Sequence, residues 1–110
     1  MNYHIHITQT AERDMIRAAD YIEFILKNPE AAERLLDTAE EKINALSQFP
    51  QKFPLADDRV LSSWGIRFTI VNSYLAFYLI SETEKRVIVV RFLYAKSNWV
   101  SILKTGFSLQ

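Results

Sequence analysis

Ile66-Arg67-Phe68-Thr69-Ile70-Val71 alternates apolar and polar side chains, Asn72-Ser73 follows, and Tyr74 to Ile80 is a mostly apolar run. A period of two is the side-chain period of a strand, and Asn-Ser between two such runs suits a tight hairpin turn. Ser81 to Lys85 is polar, and Arg86 to Tyr94 supplies another β-rich run. Two hairpins in succession predict a meander of three antiparallel strands.

Upstream, Tyr3-His4-Ile5-His6-Ile7 alternates in the same way and predicts a strand with Tyr3, Ile5 and Ile7 inward and His4 and His6 outward. From Thr10 the period changes. Met15, Ala18, Ala19, Ile22, Ile25 and Leu26 recur at three- and four-residue steps, which predicts an amphipathic helix from Thr10 to Lys27. Asn28-Pro29-Glu30 offers a cap, a proline whose missing N–H costs nothing in a first turn, and an acid at the positive helix end. A second helix follows, with Ala32, Leu35, Leu36, Ala39, Ile43 and Leu46 as its stripe, ending before Phe49-Pro50. Pro50 to Ser63 reads as an irregular connection. Downstream of the meander, Ser97-Asn98 caps a short helix from Trp99 to Lys104, with Gly106 just past its end. The expected order is β-α-α-β-β-β-α in a single domain over residues 1–110. That is an α+β fold: an antiparallel sheet of about four strands, the first added at an edge, with the N-terminal helical hairpin packed on one face.

Composition narrows the function. A chain of 110 residues, 49% hydrophobic and 24% charged, is ordinary for a globular domain and excludes disordered or collagen-like sequence. The absence of Cys removes disulfide scaffolds, thiolate zinc sites and Cys nucleophiles. Gly65 and Gly106 are the only glycines and lie too far apart for a phosphate-cradling loop. No apolar run reaches the roughly 18 residues of a membrane span, and the N-terminus lacks signal-peptide character, so a cytoplasmic protein with no membrane association is expected. The formal net charge of zero conceals a split. Residues 1–63 carry seven Lys/Arg against eleven Asp/Glu, and residues 64–110 carry six against two. The basic half suits an acidic or anionic partner.

His4 and His6 share a strand face, yet two ligands without a third make no metal site, and solvent exposure explains the pair. Asp57-Asp58 suits a turn cap better than a cation. No metal and no cofactor are expected. The cations are more informative. Arg67 and Arg91 fall on two strands of the meander, Arg91 in phase with Val87, Val89 and Leu93 and opposite Ile88, Val90 and Phe92. With the helices on one face, both can project from the other, beside Tyr94 and Lys96 at the strand exit. Arg67, Arg91, Tyr94 and Lys96 are therefore the candidates for binding a target or, in a nuclease, for catalysis: guanidiniums fork phosphate and the phenol stacks or moves a proton. The alternative reading pairs each Arg with an acid across the sheet.

Several words of the sequence, in this order, resemble one family. They are Tyr3-x-Ile5-x-Ile7-Thr8, Ala11-x-x-Asp14-x-x-x-Ala18-x-x-Tyr21-Ile22, Asn28-Pro29-x-Ala31-Ala32 and Leu46-x-x-Phe49-Pro50, then Gly65-Ile66-Arg67, Asn72-x-Tyr74-x-x-Phe77-Tyr78 and Val87 to Tyr94. Together they resemble the RelE/ParE superfamily of bacterial toxins from type II toxin–antitoxin pairs. The resemblance implies a small cytoplasmic growth inhibitor, held inactive in a hetero-oligomer by a cognate antitoxin whose disordered segment folds onto it.

The superfamily divides by target. Its RelE-like branch cuts mRNA on the ribosome without a metal, whereas its ParE-like branch inhibits DNA gyrase and is not known as a hydrolase. RelE-like enzymes commonly carry Arg after the aromatic or His that opens the third strand, and some carry His before the Tyr that ends the last. Leu75 and Leu93 stand at those places here. Leucine can neither move a proton nor stabilise phosphate charge. The resemblance therefore favours gyrase inhibition. Ribosome-dependent mRNA cleavage is the alternative, and a degenerate module that only binds antitoxin is a third.

Overall fold

A computed structural model of the chain describes residues 2–110. Four strands, β1 (His4–Ile7), β2 (Arg67–Val71), β3 (Tyr74–Ser81) and β4 (Arg86–Tyr94), form one sheet in the order β1-β4-β3-β2. The meander pairs antiparallel as expected, with Asn72 in the left-handed conformation of a tight turn (φ 55°). β1 lies at an edge, yet runs parallel to β4, Ile5 opposite Val87 and Ile7 opposite Val89, so the sheet is mixed. Alternation fixes which face a strand buries but carries no information on its direction.

Four helices complete the fold: α1 (Gln9–Asp20), α2 (Pro29–Asn44), α3 (Arg59–Ser63) and α4 (Trp99–Lys104). Thr8 starts α1 and joins it to the sheet. Its hydroxyl accepts from the Ala11 amide at 3.2 Å and donates to the Val89 carbonyl at 2.9 Å. The first helix is shorter than its apolar period, because Tyr21–Ile25 widen into a π-turn, where the Leu26 amide reaches back to the Tyr21 carbonyl. Asn28 caps α2 through the Ala31 amide at 3.1 Å, with Pro29 in the first turn.

α1 and α2 lie on one face of the sheet. Their Ala11, Ala18, Leu35, Ala39 and Ile43 pack on Val71, Ala76, Tyr78, Val87, Val89 and Phe92. Alanine along α1 lets its backbone approach β4 closely. The expectation of a free second face is overturned. Leu61 of α3 and Leu103 of α4 cover it, packing with Ile66, Leu75, Phe77, Ile88, Val90 and Leu93, and Trp99 lies against Phe77 with ring centroids 5.1 Å apart. Burying each of these large side chains contributes about 1.5–3 kcal/mol, so a small sheet gains by covering both faces. α3 lies inside the stretch read as irregular. Asp58 caps it by accepting from the Val60 and Leu61 amides, both at 3.1 Å, and bridges to Lys104 of α4 at 3.3 Å. The Leu61 amide first, then Lys104, hold the Asp58 carboxyl below its ordinary value. A folded-state value below the unfolded one adds stability above the unfolded pKa that is lost as the pH falls through the folded one. Asp58→Ala should therefore flatten the acid limb of a stability–pH curve, and an unchanged acid limb would contradict this cap.

Tyr78, fully buried in the first core, donates its hydroxyl to the Pro50 carbonyl at 2.6 Å, and burial raises its pKa far above the ordinary phenol value. Tyr78→Phe leaves that carbonyl without a partner and should cost about 1–3 kcal/mol in a urea titration. A cost near zero would show that the bond contributes nothing net.

Candidate functional site: an aromatic groove beside the end of the last strand

The site begins with an irregularity in β4. Phe77 pairs with Arg91 and Tyr78 with Val89, so Val90 has no partner on β3 and the strand bulges there. The bulge resets the alternation. Phe92 joins Val87 and Val89 in the helix-side core, while Leu93 joins Ile88 and Val90 in the other, reversing the phase read from the sequence. β1 ends opposite Val89, so β4 beyond it presents an open edge.

Asp14 closes that edge. Its carboxylate accepts from Arg91 Nε at 2.7 Å and Nη2 at 3.0 Å, and from the Phe92 amide at 3.0 Å. The pair is largely buried, with side-chain exposure of 18% for Arg91 and 5% for Asp14. Arg91 is thus paired with an acid, but one on a helix and not across the sheet. Asp14 was legible as an anomaly: it sits within the apolar stripe Ala11, Met15, Ala18, and an acid there requires a buried partner.

Fixed this way, Phe92 stacks on Tyr74 (centroids 5.2 Å, 10° between planes), and Tyr94 meets Tyr74 edge-on at 5.7 Å. The π-turn approaches from the other side. Between them runs a groove of about 600 Å³ lined by Tyr21, Ile22, Leu26, Ser73, Tyr74 and Tyr94. A shallower extension of about 290 Å³ shares Tyr74 and Tyr94 and continues past Arg17, Asp14 and Arg91 to Ser97. Burial, then the neighbouring Tyr94 and Tyr21, raise the Tyr74 pKa, so its hydroxyl stays a donor well into the alkaline range. The exposed Tyr21, Phe24, Ile25 and Leu26 make the hairpin tip apolar.

The four sequence candidates do not assemble. Arg91 and Tyr94 share the groove, and Lys96 lies two residues beyond Tyr94, exposed and in none of the ion pairs among the described residues. Arg67 is elsewhere, donating through Nη1 to the Gln51 and Phe53 carbonyls at 3.0 and 2.5 Å. Leu75 and Leu93 face each other across β3 and β4, 7% and 8% exposed. His4 and His6 are on β1, no histidine lines either groove, and no group of three metal-ligating side chains occurs among the described residues. The arrangement offers apolar and aromatic surface, hydroxyl donors and cations.

Residues 5–99 match the model of a family described as the ParE toxin of the type II toxin–antitoxin system parDE. The chain belongs to the ParE toxin family. Among solved structures it is similar to the chromosomal ParDE toxin–antitoxin system from P. aeruginosa, with a TM-score of 0.70 at 16% identity over 86% of this chain and 97% of that one. It is also similar to the RelBE2 toxin–antitoxin complex from Mycobacterium tuberculosis, with a TM-score of 0.59 at 20% identity over 86% and 99%. No curated protein matches the chain by sequence. As a ParE-family chain it is a toxin of the type II class, with the α+β fold of the RelE/ParE superfamily. No helix among the described residues is long and apolar enough to cross a membrane.

Proposed function

We propose that this ParE-family toxin arrests bacterial growth by binding DNA gyrase, not by cutting ribosome-bound mRNA. The observation that carries this reading is the dispersal of the polar set: Asp14 occupies Arg91, two carbonyls occupy Arg67, and Leu75 and Leu93 are buried where nucleases of the resembling superfamily place Arg and His. Metal-free cleavage needs a base, an acid and free cations around one phosphate. What this chain gathers instead is a groove for a protein segment.

The same groove, with the apolar hairpin tip beside it, is the proposed seat of a cognate antitoxin. An apolar, acidic segment buries its side chains against Tyr21, Leu26, Tyr74 and Tyr94 and turns its carboxylates toward Arg17 and Lys96. Its affinity should weaken as salt rises. Equal affinity at low and high salt would remove the electrostatic part of this proposal.

Expression of the chain alone should stop growth, and co-expression of the antitoxin should restore it. In the first minutes of arrest, labelled thymidine uptake should fall while amino-acid incorporation continues. Prompt loss of amino-acid incorporation would favour mRNA cleavage. Undisturbed growth at verified expression would favour a module that only binds antitoxin.

A further inference from the structure

On the side of the helical hairpin away from the sheet, α1 and α2 leave a trough of about 340 Å³ that contains no sheet residue. It is formed by two stripes at helical spacing. α1 contributes Ile16 and Asp20, the π-turn after it Glu23, and α2 contributes Ala32, Glu33 and Leu36. The floor is apolar, with Ile16 51% and Leu36 37% exposed. The rim is wholly acidic. No Lys or Arg lines the trough, and Asp20, Glu23 and Glu33 take part in none of the ion pairs among the described residues. Solvated acids on a helix face are ordinary, but here they flank leucine and isoleucine side chains left half in water. Both the sign of the rim and the shape of the floor differ from the tyrosine groove, which carries Arg17 and Arg91.

We propose that this trough is a second docking site, for a basic amphipathic helix of a partner protein. A third helix laid between two antiparallel ones seats its apolar ridge in their groove, covering Ile16 and Leu36. Lys or Arg on its flanks then meets Asp20 and Glu23 on one side and Glu33 on the other. Charge complementarity selects this occupant: an acidic segment suited to the tyrosine groove is repelled here, so the two surfaces discriminate between partner segments. The proposal is independent of which target the toxin acts on.

The test is an NMR titration of the ¹⁵N-labelled full chain with a synthetic helical peptide of leucine and lysine, leucines on one face. A leucine–glutamate peptide of the same length serves as counter-probe. The leucine–lysine peptide should shift amides of Ile16–Glu23 and Ala32–Leu36 saturably, and the counter-probe should leave them unmoved. The variant Asp20→Asn/Glu23→Gln/Glu33→Gln, changed only at the exposed rim, should bind about fivefold more weakly. Leu36→Gln should weaken binding as well, since it removes apolar floor without changing the charge of the rim. Equal binding by the rim variant, or shifts centred on the tyrosine groove, would overturn the proposal. So would trough amides that move with the concentration of the chain alone, because the occupant would then be a second copy.

Discussion

Asp14→Ala should lower the thermal midpoint by about 12 °C. The alanine removes three hydrogen bonds at once, two to the Arg91 guanidinium and one to the Phe92 amide, in a place where the Asp14 side chain is only 5% exposed. Removing one member of a buried ion pair costs about 3–5 kcal/mol, mostly because the other charge is left without a partner. Arg91 retains some contact with water, so the lower end applies, and about 4 °C per kcal/mol follows for a domain of this size. Asp14→Asn keeps an acceptor for the Phe92 amide and should fall between the two. Asp14→Leu/Arg91→Leu should recover part of the loss, since no unpaired charge remains. A drop of less than about 4 °C in Asp14→Ala would mean that the pair contributes little net and that β4 is held past its bulge by packing alone.

The same residue shows where the sequence was readable. Strand faces, the hairpin cap at Asn28-Pro29, the Asn72-Ser73 turn and the bounds of β4 and α4 follow from local signals: a period of two, capping side chains, a residue tolerant of positive φ. The bulge at Val90 has no such signal. One unopposed residue there puts Phe92 with Val87 and Val89, and Leu93 with Ile88 and Val90, each in the core opposite to the one strict alternation assigns. Parity carried across that point misplaced Phe92 and Leu93.

The covering of the second face was illegible for a related reason. α3 has five residues and α4 six, too few for an amphipathic period to stand out, and α3 is set by its Asp58 cap. Of the site, Tyr94 and Arg91 were picked out from charge and aromatic character. Tyr21, Leu26 and Tyr74 were read as helix and strand residues, because it is the π-turn that brings the hairpin tip over the end of the sheet. Arg67 was chosen for its charge, but its donors already serve the chain that leads out of α2.

Under the gyrase-binding mode proposed above, Tyr94 is a contact surface and not a proton carrier. Tyr94→Phe preserves the ring that meets Tyr74 and should leave toxicity close to unchanged. Lys96→Ala should lower toxicity modestly by weakening binding, an effect of about 0.2–1 kcal/mol for an exposed charge. The decisive experiment adds one purified preparation of the chain to two reactions, gyrase supercoiling of relaxed plasmid and a reconstituted translation system with end-labelled mRNA. Slowed supercoiling or accumulated cleaved gyrase–DNA complexes, with ribosome-bound mRNA intact, is the predicted result. Codon-positioned cuts in the mRNA that vanish in Tyr94→Phe, with supercoiling unaffected, would contradict it.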